Sequence, residues 1–340
     1  MRVLLVKTSS LGDVLHTLPA VTDAVAAIPG IRFDWVVEES FAEVPAWHPA
    51  VDRVIKVAIR RWRRSPLKAI VSGEWGAFRG QLSAREYDLV LDAQGLIKSA
   101  LLSRMAKGRV VGLDAGSARE PLASRLYQQR LPVERGEHAI VRLRKLFAQA
   151  LGYELPLSLP NFGINRTAPE ERSNVPSILF VHGTTWETKH WPDEYWIELA
   201  GIVNSAGYTV LLPWGSEEEK ARAESIAAGH DAEILPRSSL DVLSRQLQQA
   251  VGAVCVDSGI AHLVAALGIP SVTIYGPTVS TLTGTMGDHQ LHMDSDLECA
   301  PCQKRECIYK GDPAVDSLCL RQTTPEMAWK KLLLEIDGHE

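Results

Sequence analysis

The chain is 340 residues long, which suits two domains at roughly 100–200 residues each. Hydrophobic residues make up 46% and charged residues 23%, a composition that builds a large core and excludes disordered and low-complexity architectures. A net charge of -5 argues against a general nucleic-acid binder, whose phosphate partners demand a basic balance.

No segment reaches the roughly 18 uninterrupted apolar residues that a spanning helix needs. The richest stretch, residues 251–275, is broken by Asp257 and His262. The opening MRVLLVK is too short an apolar run for a signal peptide, so a cytoplasmic chain is expected. Five cysteines in this length do not make a disulfide scaffold.

In chain order, residues 2–6 read as a short strand, 7–13 as a tight loop, and Val14, Leu15, Leu18, Val21 and Val25 as one helix face. Strands are predicted at 33–37, 89–92 and 109–112, with helices at 96–105 and 137–151. Residues 152–175 turn to Pro, Asn, Ser and Glu without periodicity and read as a linker. The alternation then restarts with strands at 177–182, 209–213, 232–235, 251–256 and 271–275. Helices fall at 193–206, 217–228, from 240, at 259–267 and at 325–336. Strands alternating with helices imply α/β architecture with a parallel sheet in each half, and ligands at the carboxyl ends of the strands.

Three strand–loop–helix junctions carry candidate chemistry. The first, KTSSLGD at 7–13, lacks both a dinucleotide fingerprint and a P-loop. Asp13 there reads either as a first-turn acid favoured by the helix dipole or as a general base. The second, VHGTTWETKHWP at 181–192, offers hydroxyls and Lys189 to a phosphate, or is an ordinary polar connection ahead of a helix starting near Pro192. The third, VDSGIAH at 256–262, leaves backbone N–H groups at a helix N-terminus, an anion site by geometry and dipole. Asp257 in it either accepts ribose hydroxyls or caps the helix.

Residues 53–68 read RVIKVAIRRWRRSPLK, seven cations and no acid. A solvated loop is the bland account; relief of the mutual repulsion by a polyanion is the functional one. Trp62 within it suits an interface between apolar and wet surroundings. Cys299, Cys302, Cys307 and Cys319 are spaced C-x2-C-x4-C-x11-C, a structural zinc candidate that ranks behind a loop of thiols packed as soft apolar groups. Cys255 lies inside an apolar strand and reads as core.

These segments together resemble the ADP-heptose:lipopolysaccharide heptosyltransferase family. The resemblance rests on MRVLLVKTSSLGDVLHTLPAVTDA, FDWVVEE, VAIRRWRR, LDAQGLIKSA, AREPLAS, KHWP, LPWG and the DSGIAHLVAALGIP run ending in YGPT. It spans residues 1–278 and implies the GT-B fold, two Rossmann-like doubly wound domains facing a cleft. The expected boundaries are 1–160 for acceptor binding, 161–322 for the nucleotide sugar, and 323–340 for a C-terminal helix that crosses back to the first domain.

The resemblance implies inverting transfer of L-glycero-D-manno-heptose from ADP-heptose to the Kdo of Kdo2-lipid A, with no cofactor and no metal. Asp13 matches the catalytic base, with Lys189 assisting. Thr184, Thr185 and Lys189 match diphosphate contacts; Asp257, Ser258, Gly259 and His262 match the nucleotide-sugar signature, and Glu218 the ribose contact. Ser10, Gly12, Arg60, Arg61, Arg63, Arg64, Lys98 and Arg119 match the acceptor side. A monomer peripherally associated with the cytoplasmic face of the inner membrane, through anionic lipid and without nucleic acid, is the implied setting. The rivals are transfer to an already heptosylated core, a GT-B-type nucleotide-sugar epimerase, and a non-catalytic binding module. An epimerase needs no lipid-facing basic patch.

Overall fold

Strand β1, Arg2–Val6, is buried at four of its five residues and stands at the middle of a six-stranded parallel sheet. Its neighbours are β2 (Arg32–Glu38), β3 (Val51–Val57), β4 (Leu89–Asp92), β5 (Val110–Leu113) and β6 (Gln129–Leu131), in the order β3-β2-β1-β4-β5-β6. Val3 pairs with Phe33 on one side and Leu89 on the other. Runs of apolar β-branched residues buried on both faces are what a parallel sheet covered by helices requires. This computed structural model describes residues 1–164, 175–309 and 317–338. The chain divides into two compact units, Met1–Asn165 and Arg166–Glu340. Residues 165–174 of the expected linker lie outside the described residues.

The second unit repeats the plan. Strands β7 (Ser177–Val181), β8 (Thr209–Leu212), β9 (Ala232–Ile234), β10 (Gly252–Val256), β11 (Ser271–Tyr275) and β12 (Gln290–Asp294) form a parallel sheet ordered β12-β11-β10-β7-β8-β9. Each sheet therefore starts at its centre, steps outward twice, and returns to the other side of the first strand. The strand order reverses between β1 and β4 and again between β7 and β10. In doubly wound sheets those two points open crevices at the carboxyl ends of the strands.

Three differences from the sequence expectation have physical causes. The basic run 53–68 is not a solvated loop: β3 carries Ile55 and Val57 inward, and the short helices Ile59–Arg64 and Pro66–Val71 follow. The single helix expected after Gly12 is two, Leu11–Leu15 and Leu18–Ala27. Pro19 supplies no N–H to continue the first ladder and fits the first turn of the second helix. Finally, where a helix crossing back to the first domain was expected, the helix Pro325–Asp337 packs on the helix Asp193–Ser205 and beside β10, β11 and β12.

The first core gathers around Leu4, Val6, Val36, Phe78 and Tyr127; the second gathers around Phe180, Trp191 and Trp196, with Trp191 set edge-on to Trp196 at 4.9 Å between centroids. Gly112 on β5 shows why one position admits no side chain: a Cβ there would lie 2.5 Å from the Tyr127 ring. That close approach lets the Tyr127 hydroxyl donate to the fully buried Asp92 carboxylate at 2.8 Å.

Candidate active site

The loop that leaves β1 is fastened at its base by the side chain of Gln94, just beyond β4. Gln94 Oε1 accepts from the Thr8 N–H at 2.9 Å and the Ser9 N–H at 3.3 Å, and its Nε2 donates to the Ser9 carbonyl at 2.9 Å. Asp92, beneath it, accepts from the Gln94 and Gly95 N–H groups and from the Ser99 hydroxyl. The loops at the first switch point thus hold each other through buried hydrogen bonds.

Asp13 sits in the first turn of the helix Leu11–Leu15, and both of its oxygens are engaged. Oδ2 accepts from the Ser10 N–H at 2.7 Å and the Ser10 hydroxyl at 3.2 Å; Oδ1 lies 3.1 Å from Lys7 Nζ. Lys7 is almost fully buried and also donates to the Ala93 carbonyl at 3.2 Å, whereas the Asp13 side chain remains 36% exposed. Desolvation pushes the Asp13 pKa up, but the Lys7 ammonium and the Ser10 donors outweigh it and hold the carboxyl below the ordinary aspartate value. Asp13 therefore does close a capping arrangement with Ser10, and still presents a partly exposed carboxylate.

The other candidates of the first unit reach the same sheet edge. Glu38, at the end of β2, donates its N–H to the Thr8 carbonyl at 3.0 Å and accepts from the Arg60 N–H at 3.0 Å. The helix Ile59–Arg64 is thereby tied to the switch-point loop. Its four arginines are exposed but not equivalent. Arg61 is paired with Glu39 through two bonds of 3.1 Å and with Glu74 at 2.8 Å, while the Arg60 guanidinium lies over the Phe41 ring. Arg63 and Arg64 have no ion-pair partner among the described residues. Gly12 is buried; Ser10, Lys98 and Arg119 are exposed. Lys98 and Arg119 are on adjoining segments, since Glu120 accepts from the Ile97 N–H at 2.7 Å.

In the second unit, Asp257 at the end of β10 is the hub. Its carboxylate accepts from Lys189 Nζ at 2.7 Å and the Thr278 hydroxyl at 2.6 Å, and its carbonyl from the Thr184 hydroxyl at 3.0 Å. The helix-capping reading of Asp257 is wrong, because Ser258 is the cap, accepting from the Ala261 N–H at 3.3 Å. Gly259 opens that helix, Gly259–Ala266, and His262 is buried on it. Thr185 is exposed, and Lys189 lies 4.6 Å from the centroid of the Trp186 ring.

Glu218 is exposed in the first turn of the helix Glu217–Ala227. Its neighbour Glu219, which the sequence did not single out, turns back to accept from the Gly215 N–H at 2.7 Å and fills the space a Cβ at Gly183 would need. Lys7, Gln94 and Thr278 were likewise missed as partners of the candidate residues. Their position one to three residues past a predicted strand was the available signal.

Cys299, Cys302, Cys307 and Cys319 do line one pocket, shared with Thr188 and Pro277. Among the described residues no three of His, Cys, Asp and Glu are spaced to hold a metal ion. Their segment reaches the loops around Lys189 and Thr278 instead: the Thr188 hydroxyl donates to the Lys304 carbonyl at 2.8 Å, and the Gln303 N–H to the Pro277 carbonyl at 2.7 Å. Cys255 is buried in β10 as expected.

Two doubly wound units, each with polar loops gathered at its switch point, fit a glycosyltransferase, and the comparisons with known proteins give that class. The model of glycosyltransferase family 9 (heptosyltransferase) matches residues 75–312. The chain belongs to that family. It is 55% identical over 313 residues to lipopolysaccharide heptosyltransferase 1 of Pseudomonas aeruginosa, covering 91% of this chain and 88% of the relative. Among solved structures, Escherichia coli heptosyltransferase WaaC with ADP superposes with a TM-score of 0.87 at 44% identity, covering 99% of this chain and 100% of that one. The same enzyme with ADP-2-deoxy-2-fluoro heptose gives 0.84 at 43%, covering 98% and 99%.

Proposed function

We propose that this protein is a GT-B glycosyltransferase that moves L-glycero-D-manno-heptose from ADP-heptose to the Kdo of Kdo2-lipid A, with inversion, in building the lipopolysaccharide inner core. The observation that carries this reading is the 55% identity, over 91% of the chain, to a lipopolysaccharide heptosyltransferase 1. The solved relative bound to an ADP-heptose analogue supports the donor class. The matches to the corresponding heptosyltransferases 2 extend over only about a third of this chain, which favours the Kdo acceptor over a heptosylated one.

On this reading Asp13 takes the proton from the acceptor hydroxyl as that oxygen attacks the anomeric carbon. Its depressed pKa makes it a weak base, so it works chiefly by orienting the hydroxyl and takes the proton late, as the C–O bond forms. ADP is a good leaving group, so one carboxylate suffices and the glycosidase pair is unnecessary. Lys189 and the N–H groups at Ser258 and Gly259 offset the charge that grows on the departing diphosphate. Thr184 and Thr185 add hydroxyl donors to the phosphates, and Asp257, His262 and Glu218 serve the nucleoside end. Lys189 is paired with Asp257 in this structure, so donor binding draws the ammonium from the carboxylate toward phosphate.

Ser10, Gly12, Arg60, Arg61, Arg63, Arg64, Lys98 and Arg119 are assigned to the acidic acceptor. No helix among the described residues is long and apolar enough to cross a membrane. We place the protein as a monomer at the cytoplasmic face of the inner membrane, held peripherally by the basic helix against anionic lipid. Incubation with ADP-heptose and Kdo2-lipid A tests the reaction: one ADP is released for each heptose added to the acceptor. Donor hydrolysis with no gain in acceptor mass refutes it.

A further inference from the structure

The helix Pro66–Val71 carries Leu67, Ile70 and Val71 at 77%, 63% and 86% exposure. Their spacing of i, i+3 and i+4 puts them on one face of the helix, and that face has no cover in the structure. Single exposed leucines need no explanation; three adjoining large aliphatic side chains on one short helix mark a contact surface. The opposite side is anchored, with Ala69 buried and the helix packed on its neighbours Ile59–Arg64 and Glu74–Ser83. On those two neighbours Trp62 meets Trp75 and Phe78 edge-on, with all three ring centroids within 5.8 Å of one another. Glu74 locks that platform by accepting from the Trp62 indole at 2.9 Å and from Arg61. The apolar face is therefore held outward on a rigid base.

The charge around the face identifies what covers it. Lys68 stands within the same helix, and Arg60, Arg63 and Arg64 are exposed on the preceding one. The nearby acids Glu39 and Glu74 are both occupied by Arg61, so these four cations are left unneutralised by them. An apolar face rimmed by cations, in a chain of net charge -5, complements an anionic lipid surface: the cations meet headgroups while the aliphatic tips enter the acyl boundary. A second copy of this chain would bring the same cations against one another.

We propose that Leu67, Ile70 and Val71 insert into the anionic bilayer and form the membrane anchor of this protein. The inference rests on the reading that the basic helix faces lipid, and it adds the residues that enter the bilayer. It divides the binding into a salt-sensitive part from Arg60, Arg63, Arg64 and Lys68 and a salt-resistant part from the three aliphatic tips.

Co-sedimentation of the full chain with vesicles of phosphatidylglycerol and phosphatidylethanolamine, against phosphatidylcholine alone, tests this. The wild type is expected to bind the anionic vesicles, retaining part of that binding at high salt. The Leu67→Ser/Ile70→Ser/Val71→Ser variant, whose changes are all at exposed positions, should keep its melting temperature and lose on the order of tenfold in affinity, including all salt-resistant binding. Arg63→Glu/Arg64→Glu should lose on the order of tenfold as well, but only the salt-sensitive part. Unchanged binding by the serine variant overturns the proposal. So does a wild-type dimer in lipid-free sedimentation that the serine variant dissolves, since the face would then belong to a second copy. Absence of wild-type binding to anionic vesicles overturns both the anchor and the lipid-facing reading. Heptose transfer, measured separately, stands or falls on its own.

Discussion

Lys7 Nζ lies 3.1 Å from Asp13 Oδ1, with the lysine almost fully buried and the aspartate partly open to solvent. The pair joins the first residue after β1 to the candidate base, and its electrostatics set how that base titrates. Asp13 is pulled below the ordinary aspartate value, so it is ionised throughout the neutral range and loses its charge only as pH falls through that depressed value. The same sign applies to stability: the contribution is present above the unfolded pKa of aspartate and is lost on acidification toward the folded one. Lys7→Met should therefore move the acid limb of the kcat profile to higher pH and lower kcat. An acid limb that stays in place would remove Lys7 from the control of Asp13.

Replacing the aspartate separates charge from fold. Asp13→Ala leaves the buried Lys7 ammonium with the Ala93 carbonyl as its remaining partner, and should destabilise the protein by roughly 1–3 kcal/mol. Asp13→Asn keeps an acceptor for Ser10 and should melt closer to the wild type. Both should abolish transfer while ADP binding persists. Calorimetric ADP titration of the two variants, alongside their melting curves, checks this.

On the donor side, Lys189→Ala removes the ammonium that Asp257 holds at 2.7 Å. Loss of one phosphate cation should weaken ADP binding by roughly tenfold to a hundredfold. Thr278→Val leaves Lys189 in place and removes one donor to Asp257, so its effect on ADP affinity should be several-fold smaller. Equal losses in the two variants would show that the carboxylate's orientation, rather than the ammonium, controls donor binding.

Three arginines of the helix Ile59–Arg64 should separate into two kinds. Arg61 is held by Glu39 and Glu74 in this structure, so Arg61→Ala should loosen the Trp62–Trp75–Phe78 platform and lower the melting temperature, besides raising the acceptor KM. Arg63→Ala and Arg64→Ala should leave the melt unchanged and raise the acceptor KM without altering the donor KM. Steady-state kinetics with each substrate varied in turn distinguishes the two behaviours.

Gly112→Ala tests the packing under the site. The added Cβ meets the Tyr127 ring at 2.5 Å, and the ring cannot yield without withdrawing its hydroxyl from Asp92. Overpacking of this kind costs roughly 1–3 kcal/mol, and a shift in the urea midpoint measures it.

The strands buried on both faces were legible because they are continuous apolar runs: β1, β4, β7, β8, β10 and β11 all fell where the sequence put them. Strands β6 and β12 were not, since both are edge strands too short to stand out: QRL has one apolar residue, and QLHMD only Leu291 and Met293 turned to the core. Strand β3 was hidden by its own cations, Lys56 on the exposed face and Arg53 on the face of Ile55 and Val57, where it pairs with the buried Asp34. Among the site residues, position in the chain marked Asp13, Lys189 and Asp257 as strand-end groups. It could not show that Lys7 or Thr278 would be their partners, because those pairings depend on how loops meet across the sheet edge. The reading named Glu218 and passed over its neighbour Glu219, which turns back to Gly215.

On the proposed function, this chain joins heptose to a Kdo-bearing lipid with Asp13 at the reacting hydroxyl. The most direct measurement is the mass of Kdo2-lipid A after incubation with ADP-heptose and the purified protein. The wild type should convert the acceptor to a product heavier by one heptose, with matching ADP release, and Asp13→Asn should give none. An acceptor left unchanged by the wild type, or converted equally well by Asp13→Asn, would contradict the account.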